Sequence, residues 1–209
     1  MANAVQEAKL AAAMAALQEY QVQGSHLFEV VDEEQSQAYA RAIKLLNQRG
    51  RSTFEMEQRL RALDFSAGTI AQVIQRLTQD HYLDDADFAS EWVRQRHSMR
   101  GKSRAVLDRE LRDKGIAAEL REAALSTIEP QDERDTALAL ARKRAKRIKE
   151  VPATYQDYQK QLRSVVGVLA RRGFPQSLSM ELANQALKEH HAALEAAETA
   201  SDYDGAAER

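Results

Sequence analysis

Apolar side chains between residues 82 and 116 recur with the period of an α-helix. The stripe of a first helix consists of Phe88, Ala89, Trp92 and Val93. The stripe of a second helix consists of Val106, Leu107 and Leu111. Ser103 has the position of an N-cap before the second helix, and Gly115 has the position at which a helix ends. The pattern therefore predicts two helices joined by a polar turn at residues 100–103.

The residues before this stretch carry the same helical periodicity. Ser52 and Glu55 have the spacing of a capping box, in which each side chain bonds the other residue's backbone N–H at a helix start. The apolar stripes around that box consist of Ala38, Ala42, Leu45 and Leu46, then Met56, Leu60 and Leu63, then Ile70, Val73, Ile74 and Leu77. The spacing predicts three helices between residues 38 and 80.

The polar turn and the glycine stop recur along the chain. Arg49–Ser52 falls on Arg100–Ser103 when the sequence is shifted by 51 residues, and Asp64 then takes the position of Gly115. A third copy has Gly173 at the stop position. Its apolar stripe consists of Leu162, Val165, Val166 and Leu169. Three copies of one helical unit predict an all-α tandem array of three-helix bundles, which we expect to be elongated and curved.

The repeats determine the predicted domain boundaries. We place the three bundles at residues 38–80, 81–128 and 129–188. The segment at residues 1–37 holds one basic and six acidic residues, and the segment at 189–209 holds six acidic residues and one arginine. Because neither segment can bury much apolar surface, we expect a mobile N-terminal extension and a disordered C-terminal tail.

The amino-acid composition limits where in the cell the protein is expected and which kinds of chemistry it could perform. The 209 residues include no cysteine, which excludes disulfides and thiolate metal sites. No window resembles a signal peptide or a membrane-spanning helix, so we expect a cytoplasmic protein that does not enter a membrane. The chain has no phosphate-binding loop, nucleophile elbow or paired-carboxylate motif. We therefore predict neither an enzyme nor a bound cofactor.

Several residues of chemical interest have structural interpretations. Asp84, Asp85 and Asp87 precede a helix, where carboxylates cap free N–H groups, and they lack the glycine loop of a hard-cation site. The five histidines show no metal-ligand spacing, so we predict no metal site. Trp92 shares an apolar stripe, which predicts a role in the core, and the alternative is an exposed platform for base stacking.

Basic residues are concentrated in two regions, although the net charge is −2. Residues 137–172 hold ten basic and two acidic residues. Residues 91–114 hold eight basic and four acidic residues. Such patches suit an acidic protein face or a phosphate backbone, and the alternative is an ordinary solvated helix face. The predicted contact residues of the middle repeat are Arg96, Arg100, Lys102, Arg104, Arg112 and Lys114. Those of the third repeat are Arg142, Lys143, Arg144, Lys146, Arg147, Arg163, Arg171 and Arg172.

The motifs of the three repeats carry a family resemblance. They are YLDDADFA at 82–89, RGKS at 100–103 and LRDKGI at 111–116, flanked by RGRS at 49–52 and LARRGF at 169–174. With them the chain resembles the RecX family of bacterial regulators of the RecA recombinase, over roughly residues 38–188. The resemblance implies a tandem three-helix-repeat protein that lodges in the groove of the RecA filament on single-stranded DNA and modulates, usually restrains, its activity. Asp64 departs from the glycine of the other two repeats.

Two other functions fit the same features. A free-standing DNA-binding protein is one, because a three-helix unit can place its last helix in the major groove. The third helix of the first repeat, residues 66–79, has Arg76 as its only basic residue, which argues against this function. A helical adapter that holds RNA on a basic face is the other. We expect a monomer, and direct contact of the filament regulator with single- or double-stranded DNA stays open.

Overall fold

The protein is helical throughout the part of the chain that the structure describes. The structure is a computed structural model, and it describes residues 33–207. Those residues contain no strand, and the predicted all-α class is confirmed. The helices are α1 (33–46), α2 (Thr53–Arg61), α3 (Ala67–Gln79), α4 (Asp85–Arg100), α5 (Arg104–Asp113), α6 (Ala118–Leu125), α7 (Pro130–Ala145), α8 (Tyr155–Ala170) and α9 (Gln176–Ala207).

The chain divides into two compact units, one ending at Asp84 and one beginning at Asp85. In the first unit α1, α2 and α3 enclose an apolar core. Its buried residues are Ala38, Ala42, Leu45, Met56, Leu60, Ile70, Val73, Leu77 and Leu83. Arg51 is only 7% exposed, and its Nε donates to the Leu45 carbonyl at 3.3 Å. Arg51 therefore satisfies a carbonyl that the end of α1 leaves without a helical partner.

The second unit holds two three-helix sets, each with its own core. The core of α4, α5 and α6 consists of Ala89, Val93, Leu107, Leu111, Ile116, Ala124, Leu125 and Ile128. The core of α7, α8 and α9 is built on the fully buried Ala137, Ala141 and Ala145 of α7. Because these side chains are small, the backbones of α8 and α9 can approach α7 closely, and the larger basic residues of α7 lie outside the core.

The two sets of the second unit interlock at their turns. The Ser103 N–H donates to the Arg172 carbonyl at 3.0 Å. Gly173 has a φ of +81°, and a Cβ at this position would lie 2.2 Å from Cγ2 of Val106. A larger residue at Gly173 would therefore suffer both backbone strain and a clash.

The same left-handed conformation ends the second helix of every repeat. Gly115 and Gly173 have φ values of 73° and 81°, and Asp64 at the equivalent position has a φ of 63°. Aspartate is among the few residues that tolerate this conformation, because its short polar side chain bonds locally. The departure seen at Asp64 in the sequence therefore leaves the shape of the turn unchanged.

A hydroxyl side chain caps the second helix of each repeat. The hydroxyls of Ser52, Ser103 and Thr154 each accept a hydrogen bond from the backbone N–H three residues later, at 3.1, 3.4 and 3.2 Å. The Glu55 carboxylate also accepts two hydrogen bonds from the Arg49 guanidinium, both at 3.0 Å. Each polar turn thus fixes the start of the helix that follows it.

Part of the expected N-terminal extension belongs to the first helix. Residues 33–37 form its first described turns, and the remainder of the extension lies outside the described residues. The Glu34 carboxylate accepts from the Ser66 N–H at 2.8 Å and from the Thr69 hydroxyl at 2.7 Å. These bonds, led by that from the Ser66 N–H, lower the pKa of Glu34. The boundary at residue 37 therefore needs correction, because Glu34 binds the start of α3.

The expected disordered tail at residues 189–209 is also corrected for residues 189–207, and its last two residues lie outside the described part of the chain. Helix α9 continues through Ala207 without interruption. Two histidines attach its middle to the rest of the bundle: the His190 Nε2 lies 2.8 Å from the Ile148 carbonyl, and the His191 Nε2 lies 2.8 Å from Oε1 of Gln161. Alanine and glutamate, which dominate the following residues, have high helix propensity, so the helix extends past its packed part.

Trp92 is less buried than its stripe predicted. Its ring is half-buried at the edge of the α4–α6 core and stacks on Phe88 at 5.7 Å between centroids. The indole N–H donates to Glu110 at 3.0 Å. The Trp92 ring therefore packs against the core, while its indole N–H takes part in a polar contact.

Candidate basic interface

A basic groove lies between α7 and α8. It has a volume of about 220 Å³. Its lining consists of Leu140, Lys143, Arg144, Arg147, Val168 and Arg172. We call this surface the basic groove below. It gathers four cationic side chains over a floor of two apolar ones.

Helical spacing places these side chains together. Leu140 of α7 is followed by Lys143, Arg144 and Arg147 at distances of three, four and seven residues. This spacing puts the four side chains along one side of the helix. Val168 and Arg172 are four residues apart at the end of α8. The last turn of α7 is also where cations are favoured, because the carbonyl end of a helix is partially negative.

The three cations at the C-terminal end of α7 and just after it have no acidic partner among the described residues. Lys143 and Arg147 are exposed, and Arg144 is half-buried. Within residues 33–207 none of the three forms an ion pair or a side-chain hydrogen bond. Their mutual repulsion is therefore not offset by a carboxylate of the bundle. An external anion in the groove would relieve it.

Arg172 differs from the other three cations because it is held in place. Its Nε donates to the Arg100 carbonyl at 3.1 Å, and its Nη1 donates to the Val168 carbonyl at 3.4 Å. A guanidinium has five N–H groups, so further donors are available for a ligand. Arg172 therefore combines a structural contact to the α4–α5 turn with a place in the basic groove.

The rest of the basic run on α7 faces another direction. Arg142 pairs with Glu189 of α9 at 2.8 Å. The hydrogen bonds from Arg142, and then from Gln185, lower the pKa of Glu189 to about 2. Lys146 lines a second depression, of about 250 Å³, together with Arg142, Glu189 and His190. The run that looks continuous in the sequence is thus divided between two faces.

Most predicted contact residues of the middle repeat interact within the protein. Lys102 forms an ion pair with Glu110, which also accepts the Trp92 indole N–H. The Arg96 guanidinium lies 3.9 Å from the centroid of the Trp92 ring, and the Lys114 ammonium lies 4.2 Å from it. These cations are attracted to the π-system of the ring.

Arg112 and Arg104 also have internal partners. Arg112 donates to Asp108 at 2.7 Å, and Asp108 is also bound by Arg121 at 2.8 Å. The hydrogen bond from Arg121 lowers the pKa of Asp108, and the bond from Arg112 lowers it by a smaller amount. The Arg104 guanidinium reaches a backbone carbonyl at 3.4 Å, that of Ile128. Both arginines stabilise contacts around α5.

Arg100, Arg163 and Arg171 remain exposed. The Arg100 carbonyl accepts the bond from Arg172. Arg163 of α8 and Arg171, which caps the end of this helix, are eight residues apart with Gly167 midway, so all three lie on one side of the helix. The Arg171 guanidinium folds over Gly167, where a Cβ would lie 3.4 Å from its Nη1.

The structure thus divides the predicted contact residues into groups. It brings together Lys143, Arg144, Arg147 and Arg172. It separates them from Arg142 and Lys146, and it gives most of the middle-repeat residues internal partners. Whether any of these residues contacts a partner molecule stays a prediction.

Comparison with known proteins gives the family of this fold. Residues 38–77 match the family model for the first three-helix domain of RecX, and residues 84–125 match that for the second. The chain is 50% identical to the regulatory protein RecX of Corynebacterium efficiens over an alignment of 190 residues that covers 88% of this chain and 90% of that one. The chain belongs to the RecX family. It is also 38% identical to the regulatory protein RecX of Mycolicibacterium smegmatis, over 72% of this chain and 82% of that one.

Solved structures support the fold of this RecX-family chain. The crystal structure of RecX from Lactobacillus salivarius superposes with a TM-score of 0.63 at 24% identity, over 75% of this chain and 98% of that one. Another crystal structure of a regulatory protein RecX gives a TM-score of 0.60 at 23% identity, over 75% of this chain and 74% of that one. The predicted family and helical repeats are confirmed. The basic groove lies outside the residues that the two family models match.

Between residues 33 and 207, every helix is too short or too polar to cross a membrane. No three or more histidine, aspartate or glutamate side chains in the described part of the chain are grouped so that they could hold a metal ion.

Sequence reasoning missed the apolar floor of the groove. Leu140 and Val168 are half-buried, whereas their neighbours toward the core are fully buried. The available signal was spacing: Leu140 precedes Arg144 by four residues, and Val168 precedes Arg172 by four. An apolar residue one turn before an arginine on two adjacent helices indicates a surface that is both basic and partly apolar.

Proposed function

We propose that this protein regulates a RecA-type recombinase by binding its filament on single-stranded DNA and restraining ATP hydrolysis, strand exchange and the DNA repair that depends on them. Membership of the RecX family supports the proposal, because the relatives with 50% and 38% identity are regulatory proteins. It acts as a binding protein without a catalytic centre or cofactor, and as a monomer in the cytoplasm.

The observation that carries this proposal is the distribution of unpaired cations. A nucleoprotein filament presents acidic protein surfaces and phosphates, both of which attract a localised positive patch. Lys143, Arg144 and Arg147 form such a patch on a chain whose net charge is −2. The patch therefore favours association through the face that carries the basic groove.

The first helical repeat supports this function over sequence-specific DNA binding. A protein that reads the major groove needs donors on the helix that enters it. Arg76 of α3 lies 4.4 Å from the centroid of the Tyr39 ring and 3.7 Å from Asp80. Its charge is therefore engaged on the surface of its own bundle, and α3 has no other basic residue.

The test is a titration of recombinase ATPase and strand exchange on single-stranded DNA. We expect both activities to fall as the protein approaches the recombinase concentration. A variant with Lys143→Gln, Arg144→Gln and Arg147→Gln should require a higher concentration for the same effect. Unchanged recombinase activities with the parent protein at equal concentration would exclude the proposed function. Tight binding to bare duplex with a sequence preference would replace it with that of a DNA-binding protein.

A further inference from the structure

The basic groove has the properties of a site for a particular anion. Four cations, three of them guanidinium groups, line a volume of about 220 Å³ without a carboxylate among the lining residues. Guanidinium groups bind carboxylates and phosphates through paired N–H donors. The choice between these two anions therefore depends on how the charges are arranged along the groove.

The positive charges are spaced along the groove. Lys143 and Arg147 are four residues apart, or about 6 Å along the direction of α7, and Arg172 lines the groove from the end of α8. A nucleic-acid strand carries one charge on each nucleotide, so successive phosphates can meet successive cations. The single carboxylate of an acidic side chain would meet only one part of such a row.

The groove is also preorganised for a ligand. Arg172 is fixed by bonds to two carbonyls, so a ligand bound there would not need to immobilise that side chain. Leu140 and Val168 supply an apolar floor, against which a sugar or a base edge can pack. Free inorganic ions would make no use of this floor.

From these observations we infer that the basic groove binds the phosphate backbone of a single nucleic-acid strand. The cations Lys143, Arg144, Arg147 and Arg172 contact its phosphates. The inference builds on the proposed function, because it assigns the groove to the DNA of the filament and leaves the acidic recombinase surface to other parts of the protein.

The experiment measures binding of the full chain to a fluorescein-labelled oligothymidylate by anisotropy, without recombinase, at several salt concentrations. The variant Lys143→Gln, Arg144→Gln, Arg147→Gln should bind roughly tenfold more weakly or worse. Its plot of log affinity against log salt should be shallower by about 2, since each phosphate contact on a single strand contributes about 0.7. Because Arg172 also holds the α4–α5 turn, it is left intact.

A matched control removes the same charge from the first unit. Lys44, Arg59 and Arg61 are exposed, and their replacement by glutamine changes the net charge equally. We expect this control to bind like the parent. An equal loss of affinity in both variants would overturn the inference, because it would show an effect of net charge alone.

Competition separates phosphate from carboxylate. Inorganic pyrophosphate should displace the oligonucleotide from the parent at lower concentration than polyglutamate of the same total charge. Equal or better displacement by polyglutamate would overturn the inference and assign the groove to an acidic protein surface. Because the assay contains no recombinase, either negative result leaves the proposed effect on the filament to be judged by its own titration.

Discussion

The middle and third repeats carry similar numbers of positive charges but use them differently. In the middle repeat Lys102, Arg96 and Lys114 surround Trp92 and Glu110. In the third repeat the basic groove collects cations for which the described residues supply no carboxylate. The difference lies in what each helix faces: α4 and α5 bring an aromatic ring and an acid to the cations, whereas the end of α7 faces other basic residues. A count of charges therefore cannot distinguish a stabilising network from a binding surface.

The largest effect that separates the two repeats should come from Trp92. Trp92→Ala removes a half-buried ring, an indole hydrogen bond and the surface under two cations. We expect a loss of roughly 2–3 kcal/mol in the free energy of unfolding, less than the 3–5 kcal/mol typical of a fully buried aromatic residue. Chemical denaturation followed by circular dichroism measures it.

Met99 provides the control for this prediction because it lies in the same helix and is 77% exposed. Met99→Ala should change stability by no more than about 0.5 kcal/mol. If Trp92→Ala has an equally small effect while oligonucleotide binding is lost, the ring is a stacking platform and the comparison between the two repeats fails.

The next prediction compares two lysine variants, one expected to change stability and the other to change binding. Lys102→Gln leaves the Glu110 carboxylate, whose side chain is 24% exposed, without its charged partner. We expect a loss of about 1–2 kcal/mol in stability and no change in oligonucleotide affinity. Lys143→Gln should do the reverse, since Lys143 is exposed and lines the basic groove. Each variant is measured by denaturation and by anisotropy. The same pattern in both assays for the two variants would contradict the distinction.

The local parts of this structure were predictable, because they depend on residues close in sequence. Ser103 caps α5, and Gly115 ends its turn in the left-handed conformation, as their positions predicted. The ion pair of Arg112 with Asp108 follows from a spacing of four residues. Sequence periodicity contains all of this information.

The partners of most cations depend on how helices pack. Glu110 is eight residues from Lys102, and Glu189 is 47 residues from Arg142. No local pattern predicts either pair, so the sequence alone treated these lysine and arginine residues as one class. The long α9 was missed for a related reason: acidic composition indicated a tail, whereas contacts of His190 and His191 with distant residues hold the helix in place.

A smaller effect is expected at Gly167, which lies inside α8 on the side of Arg163 and Arg171. Glycine within a helix is less stable than alanine by roughly 0.5–1 kcal/mol. A Cβ at this position would meet only the flexible end of Arg171, at 3.4 Å. Gly167→Ala should therefore raise the free energy of unfolding by that amount in thermal or chemical denaturation. Weaker oligonucleotide binding by this more stable variant would show that the strand approaches the α8 backbone closely. A destabilised variant would contradict the prediction.

The smallest effect on stability should come from the exposed pair of Arg142 and Glu189, which lies on the other face of α7 from the basic groove. The pKa of Glu189 is about 2 in the folded protein, below its ordinary value of 4.5. The unfolded chain therefore binds the proton more readily. The pair stabilises the fold above pH 4.5 and loses this contribution as the pH falls toward 2.

Arg142→Gln should return the pKa of Glu189 toward 4.5, as measured by an NMR titration of the carboxyl carbon. Oligonucleotide affinity near neutral pH should stay close to that of the parent, because Arg142 does not line the basic groove. A large loss of affinity in Arg142→Gln would instead mean that both faces of α7 contact the strand, and the division of the basic run would then have no functional meaning.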